Sequence, residues 1–306
     1  MLIFTLWLVT GARSLHEEEL LQLDNGVIKI GIDRGKGASL TWLSWRGYPG
    51  NSINSHDPGR LIQQSYYAGK GVDRTAEGQH KAWSPWTWNP IQGGGVASWA
   101  RVVAFQKEKG ESLFAETVPK LWDMPDEEAE AVMRQWTGIE AGMPNVAVVK
   151  CEFLSKRKPN DQWGEAVARH QELPACYFTR NFSRFASYLG GGEWREESQQ
   201  PGPPWGHADP PKKAMACFNE EGQGVAVFSP ASDGRWNFGP HGAEGTSDPV
   251  GGPCVHVAPI ATVKLGPQST LRYRYWLVAG TENEIAVRLD ALWRKYSDER
   301  LVLTSL

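Results

Sequence analysis

Cysteine is scarce in this sequence and widely scattered. Its four copies, Cys151, Cys176, Cys217 and Cys254, include no Cys-x-x-Cys pair. That argues against a thiolate zinc site. The even count leaves two disulfides, in any of three connectivities, or buried free thiols. A charge bias is also lacking: the net charge is −3 over 306 residues, with both signs spread along the chain. A nucleic-acid surface needs clustered Lys and Arg, so nucleic acid is not an expected partner. No apolar run is long enough to span a bilayer as a stable helix. Gly93-Gly94-Gly95 lacks the strand-to-helix setting of a phosphate-binding loop, and no nucleophile elbow is present. No organic cofactor is therefore expected, and Ca²⁺ has no motif to support it.

Tryptophan is abundant, with 15 copies, beside 33 Gly and 20 Pro. Many turns, short strands and aromatic platforms follow from that mixture. The N-terminus, Met1 to Ser14, reads as the apolar core of a secretory signal, with small Ala12 and Ser14 at its cleavage end. Residues 1–14 are thus expected to be a leader, residues 15–306 a single domain, and the location secreted or extracytoplasmic. The Asn181-Phe182-Ser183 sequon agrees with export.

Strand signals dominate the rest. Asn25-Gly26 between apolar and β-branched residues predicts a hairpin turn. Further strands are expected at 37–45, 61–67, 99–106, 112–117 and 145–154, with a hairpin at 214–229 and closing strands at 255–265 and 269–279. Helices are expected at Asp126–Trp136 and Glu284–Tyr296. Residues 193–213 form a long polar, Pro-rich loop. Regular strand spacing with few helices predicts an all-β antiparallel sandwich.

The most informative stretch is 54–95. It packs amides, a guanidinium, an imidazole, two phenols and three tryptophans between turn residues. Flat aromatic faces stack on the C–H faces of sugar rings, and amides and guanidinium hydrogen-bond vicinal hydroxyls or a carboxylate. The expected ligand is a carbohydrate or polysaccharide, held by Gln63, Gln64, Tyr67, Trp83, Trp86, Trp88, Asn89 and Gln92. Alternation puts Gln63, Ser65 and Tyr67 on one strand face and Gln64 and Tyr66 on the other. Both faces are polar, so periodicity leaves open which meets the ligand.

Four passages resemble the galactose-mutarotase-like superfamily of β-sandwiches. They are Asn25 to Ile30 with Gly37 to Leu40, Gln171 to Ala175 with Tyr188 to Gly190, Gly224 to Pro230, and Leu265 to Gly280. The superfamily includes aldose epimerases and the sandwich domains of glycoside hydrolases and polysaccharide lyases. The resemblance implies a large sandwich with carbohydrate chemistry. The paired-histidine and C-terminal glutamate motifs of true aldose epimerases are not present in clear form.

Three constellations offer chemistry. His56, Arg60 and Tyr66 suit a lyase: Arg60 pairs with a uronate carboxylate while His56 or Tyr66 moves the proton. Alternatively, His56-Asp57-Pro58-Gly59 is a plain turn. His170 and Glu172 fall on one face of a strand and suit mutarotase-like acid–base chemistry, or form a surface pair. In the loop, Glu193, Trp205 and His207 suit a cleft rim, or a lid on the core. The leading expectation is lyase-like or mutarotase-like catalysis. A lectin-like binding module, a two-carboxylate hydrolase using Glu172, Glu193, Asp209 or Glu244, and a sandwich that docks proteins through the proline-rich loop are the alternatives.

Overall fold

The chain turns at Asn25-Gly26. Gly26 takes a left-handed φ of 77°, and the Asn25 side-chain oxygen accepts the N–H groups of Val27 and Ile28 at 3.0 and 2.9 Å. Leu20–Asp24 and Ile28–Asp33 pair across this turn, and Leu40–Trp45 adds a third strand. The computed structural model of the protein describes residues 19–54, 59–94, 98–109, 112–124, 126–242 and 254–305. The expected leader at 1–14, His56 with Asp57, and Glu244 lie outside the described residues.

Two large antiparallel sheets dominate the described residues, one of ten strands and one of seven. The ten-stranded sheet runs from Glu193–Glu197 through Ser269–Thr281 and Val146–Ser155 to Arg101–Glu108. The seven-stranded sheet has Ala168–Thr179 and Cys254–Lys264 near its middle, with Gln63–Ser65 and Pro90–Ile91 on one flank and Trp236–Pro240 on the other. A continuous buried cluster that includes Leu43, Phe153, Phe178, Val257 and Leu277 lies between the sheets. Burying each such side chain contributes roughly 1.5–3 kcal/mol. The fold is an all-β sandwich.

The helix Glu282–Tyr296 covers the far face of the ten-stranded sheet. Thr281 and Glu284 cap it reciprocally. Ile285, Leu289 and Leu292 pack on Phe228, Trp276 and Val278. Glu140 anchors its last turn, accepting from Lys295, Tyr296 and the Trp276 indole at 2.8, 2.6 and 2.9 Å.

Two expectations need correction. Asp126–Trp136 is not a helix: Ala131–Ile139 is a strand between Ser112–Val118 and Val146–Ser155. Met133, Gln135 and Thr137 alternate inward, while Arg134 bridges Glu116 and Glu152 on the neighbouring strands at 2.6 and 2.8 Å. Two flanking strands and cross-strand ion pairs outweigh the segment's acidic, helix-favouring start. Residues 193–213 are not one loop either. They hold Glu193–Glu197 at the edge of one sheet and Gly206–Ala208 at the edge of the other. All four cysteines are free and buried.

Candidate functional site

The strand Ala168–Thr179 builds the floor of the site. Glu172 pairs with Ile260 and Cys176 with Val257, so this strand spends one residue more than its neighbour between those points. The extra residue, at Leu173-Pro174, is a β-bulge. Strict alternation would put Glu172 and Ala175 on opposite faces. With the bulge, Glu172, Ala175 and Tyr177 all line one cavity of about 210 Å³ on the face turned away from the ten-stranded sheet.

His256, from the adjacent strand Cys254–Lys264, lies fully buried behind Glu172. Its Nδ1 is 3.1 Å from the Cys176 carbonyl and its Nε2 is 3.2 Å from Glu172 Oε1. A carbonyl only accepts, so Nδ1 carries a hydrogen and donates. Nε2 is thereby turned to the Glu172 carboxyl group, within hydrogen-bond distance. Tyr177 stacks on the imidazole at 4.3 Å and Trp205 packs against it at 4.4 Å between centroids.

The walls are aromatic. On one side Tyr67, Trp86, Trp83 and Trp122 form an edge-to-face chain, with centroid separations of 6.4, 5.7 and 4.1 Å. On the other side stand Pro203, Trp205 and His241. Burial, then the nearby Glu172 charge, pushes the Tyr67 and Tyr177 phenols up, so both stay protonated and can donate. Asn89 accepts the Trp122 backbone N–H at 3.2 Å and fixes that wall. Gln63 donates to the Gly59 carbonyl at 2.9 Å and accepts the Gly93 N–H at 2.9 Å, tying two loops at the mouth. Arg60 also lines the cavity. Glu172 is the one carboxylate among the described lining residues.

Eight sequence candidates thus meet in one place: Arg60, Gln63, Tyr67, Trp83, Trp86, Asn89, Glu172 and Trp205. Others do not. Tyr66 and Gln64 face the core, where the Tyr66 hydroxyl donates to Gln64 at 2.9 Å and Gln64 donates to the Arg134 carbonyl. Tyr66 has no route to a ligand and is not a catalytic group. Trp88 is 1% exposed and packs on Phe153, and Gln92 bonds the Gln64 N–H and the Ala38 carbonyl. Both are structural. Glu193 is exposed at the edge of the other sheet. His207 sits beside Arg235 and Asn237 on a separate surface. Neither belongs to the cavity. His170 lines a second, neighbouring cavity. Asn181 of the sequon donates to the Tyr48 hydroxyl at 3.0 Å.

The sequence reading passed over Trp122, Tyr177, His241 and His256. The signal for His256 was a lone imidazole in the apolar run Val255 to Ile260, where an unpartnered polar ring would be costly. Among the described residues no three His, Cys, Asp or Glu side chains converge as a metal site. No helix among them is long and apolar enough to cross a membrane.

No family model matches this chain, and no curated protein sequence does. Its fold has clear counterparts. A putative aldose 1-epimerase from Escherichia coli K12 is 12% identical over 86% of this chain and 99% of that one, with a TM-score of 0.50. A putative aldose 1-epimerase from Klebsiella pneumoniae is 11% identical over 92% and 84%, with a TM-score of 0.47. A galactose mutarotase-like protein from Clostridium acetobutylicum is 9% identical over 85% and 94%, with a TM-score of 0.45. The chain has the galactose-mutarotase-like β-sandwich fold.

Proposed function

We propose that this protein is a carbohydrate-active enzyme that takes one sugar ring into the aromatic-walled cavity and performs mutarotase-like acid–base chemistry on it. The observation that carries the reading is the Glu172–His256 pair on the cavity floor. A volume of about 210 Å³ is small beside the roughly 300–1,000 Å³ of drug-sized pockets, and suits a single ring. The tryptophans offer faces to its C–H groups, and Asn89 and the phenols face its hydroxyls. The fold's likeness to the Escherichia coli putative aldose 1-epimerase is consistent with this choice.

In the proposed step Glu172 takes the proton of the anomeric hydroxyl. The C1–ring-oxygen bond breaks as the C1 carbonyl forms. The ring oxygen gains a proton from His241 on the wall or from the Tyr177 phenol on the floor. Reclosure on the other carbonyl face reverses each transfer. His256, which does not line the cavity itself, holds the Glu172 carboxyl group in position through Nε2.

Polarimetry of freshly dissolved α-anomers of glucose and galactose tests the reading. Added protein should speed the approach to anomeric equilibrium, and Glu172→Gln should abolish the effect. His256→Gln keeps a polar side chain but removes the ring that positions Glu172, so the rate should fall while sugar binding persists. Tryptophan-fluorescence binding that survives Glu172→Gln, with no acceleration in the wild type, would identify a lectin-like module instead. Absorbance of an unsaturated uronate on acidic polysaccharides would replace ring opening with elimination, using Arg60 for the carboxylate.

A further inference from the structure

A second cavity of about 440 Å³ adjoins the first. Tyr67 and Trp86 line both, so the two spaces share an aromatic partition. The partition is braced: the Gln171 amide accepts the Tyr67 N–H at 2.8 Å and donates to the Tyr67 carbonyl at 2.7 Å. Beyond it the lining changes character. Gly71, Pro85 and Thr87 leave open space, while Arg169 and exposed His170 supply the ionisable groups. No carboxylate lines this space among the described residues.

Arg169 is held rather than loose. Its Nε and Nη2 donate to the Gly69 carbonyl at 3.1 and 2.8 Å, and no ion pair to it occurs among the described residues. A guanidinium is always charged, and this one is fixed by a neutral carbonyl, so it keeps its charge for another partner. The same strand carries Glu172. Two to three residues at about 3.3 Å each put the two functions roughly 7–10 Å apart, the scale of adjacent sugar rings.

We propose that the second cavity is a subsite for the next ring of an oligosaccharide, one bearing an anionic substituent, a carboxylate or a sulfate, that pairs with Arg169 and His170. The inference rests on the sugar reading of the first cavity and narrows its occupant to the reducing-end ring of an acidic oligosaccharide, the ring that carries a free anomeric hydroxyl. Trp86 serves as platform for both rings.

The test is fluorescence titration with matched probes: glucose, cellobiose, cellobiose oxidised to a uronate on one ring, and 6-O-sulfated cellobiose, with the galactose series in parallel. One acidic disaccharide should bind about tenfold tighter than its neutral parent, the worth of one charge-assisted contact. Which of the two wins identifies the anion. Arg169→Gln should remove the preference. Because that change also frees the Gly69 carbonyl, Gly71→Phe provides an independent block. A Cβ at Gly71 meets only Pro85, at 3.6 Å or more, so a larger side chain projects into the second cavity. It should erase the advantage of the acidic disaccharide over glucose. Equal affinity for neutral and acidic disaccharides, or a preference that persists in both variants, overturns the subsite while leaving the first cavity's reading intact if glucose or galactose still binds. Silence on every probe overturns both.

Discussion

Tyr66 and Tyr67 are neighbours in sequence and opposites in the fold. The Tyr66 hydroxyl is 0% exposed, donates to Gln64 and lies 3.3 Å from the Tyr273 hydroxyl. Its ring packs on Phe153 at 4.3 Å between centroids. Tyr67 turns to the other side of the same sheet, where it walls the cavity beside Trp86. Trp88 and Trp86 differ in the same way within one short strand, Trp88 buried against Phe153 and Trp86 lining the cavity. Polar and aromatic content is therefore the same on the two faces. What differs is closure: the inward groups find their partners within the protein, and the outward groups gather around open space.

That contrast can be broken experimentally, starting with the group that has no inward counterpart. Glu172→Gln should lower turnover by about 10²–10⁴-fold, the usual worth of a positioned acid or base, with little change in Tm. Next come the paired tryptophans. Trp88→Ala should cost about 3–5 kcal/mol of stability through the cavity it leaves, read by denaturant unfolding. Trp86→Ala should cost far less stability and instead weaken sugar binding. The tyrosines follow. Tyr66→Phe leaves the Gln64 oxygen short of a buried donor and should cost about 1–3 kcal/mol, whereas Tyr67→Phe should leave the unfolding curve almost unmoved and alter ligand affinity. If both tyrosine variants destabilise equally, the two faces are not functionally distinct.

The smallest effect is expected away from both faces, at Glu140. Burial raises its carboxyl, but hydrogen bonds from Lys295, Tyr296 and Trp276 outweigh that and hold it below the ordinary glutamate value. A depressed carboxyl contributes stability that is present above its unfolded-state pKa and lost as pH falls through the folded one. Glu140→Gln should therefore lower Tm at neutral pH and flatten the loss of Tm on acidification below the normal glutamate range. A Tm–pH curve parallel to the wild type would remove Glu140 as an anchor of the helix.

Much of the architecture was legible because it rests on local chemistry. Asn25-Gly26 specifies its own turn, and the strand at 145–154 and the helix at 284–296 carry clear periods. The stretch from Ala131 misled because its acidic approach reads as a helix start, while its partners in the sheet are far along the chain. The site was half legible. Composition marked residues 60–92 as unusual, but alternation would give Trp86 and Trp88 the same face, whereas Trp86 lines the cavity and Trp88 is buried, and nothing local says which side stays open. Glu172 could be named. His256 could not be joined to it, because 84 residues separate the two and only strand pairing brings them together. Trp122 and His241 lie in short connecting segments whose destination depends on the whole fold.

The extra residue at Leu173-Pro174 gives the strand Ala168–Thr179 two reading frames. Before it, odd and even positions have one assignment to core and cavity, and after it they have the other. Deleting one residue there would leave Glu172 and Ala175 two apart, so plain alternation would keep Glu172, Ala175 and Tyr177 on the cavity side and the bulge would vanish. Flattening the bulge with the chain at full length would instead exchange the frames downstream, turning Cys176 and Phe178 to the ligand and Ala175 and Tyr177 into the sandwich. The lining beyond Glu172 therefore hangs on where the strand stores its surplus residue, and a one-residue deletion there should leave both the sheets and that lining in place.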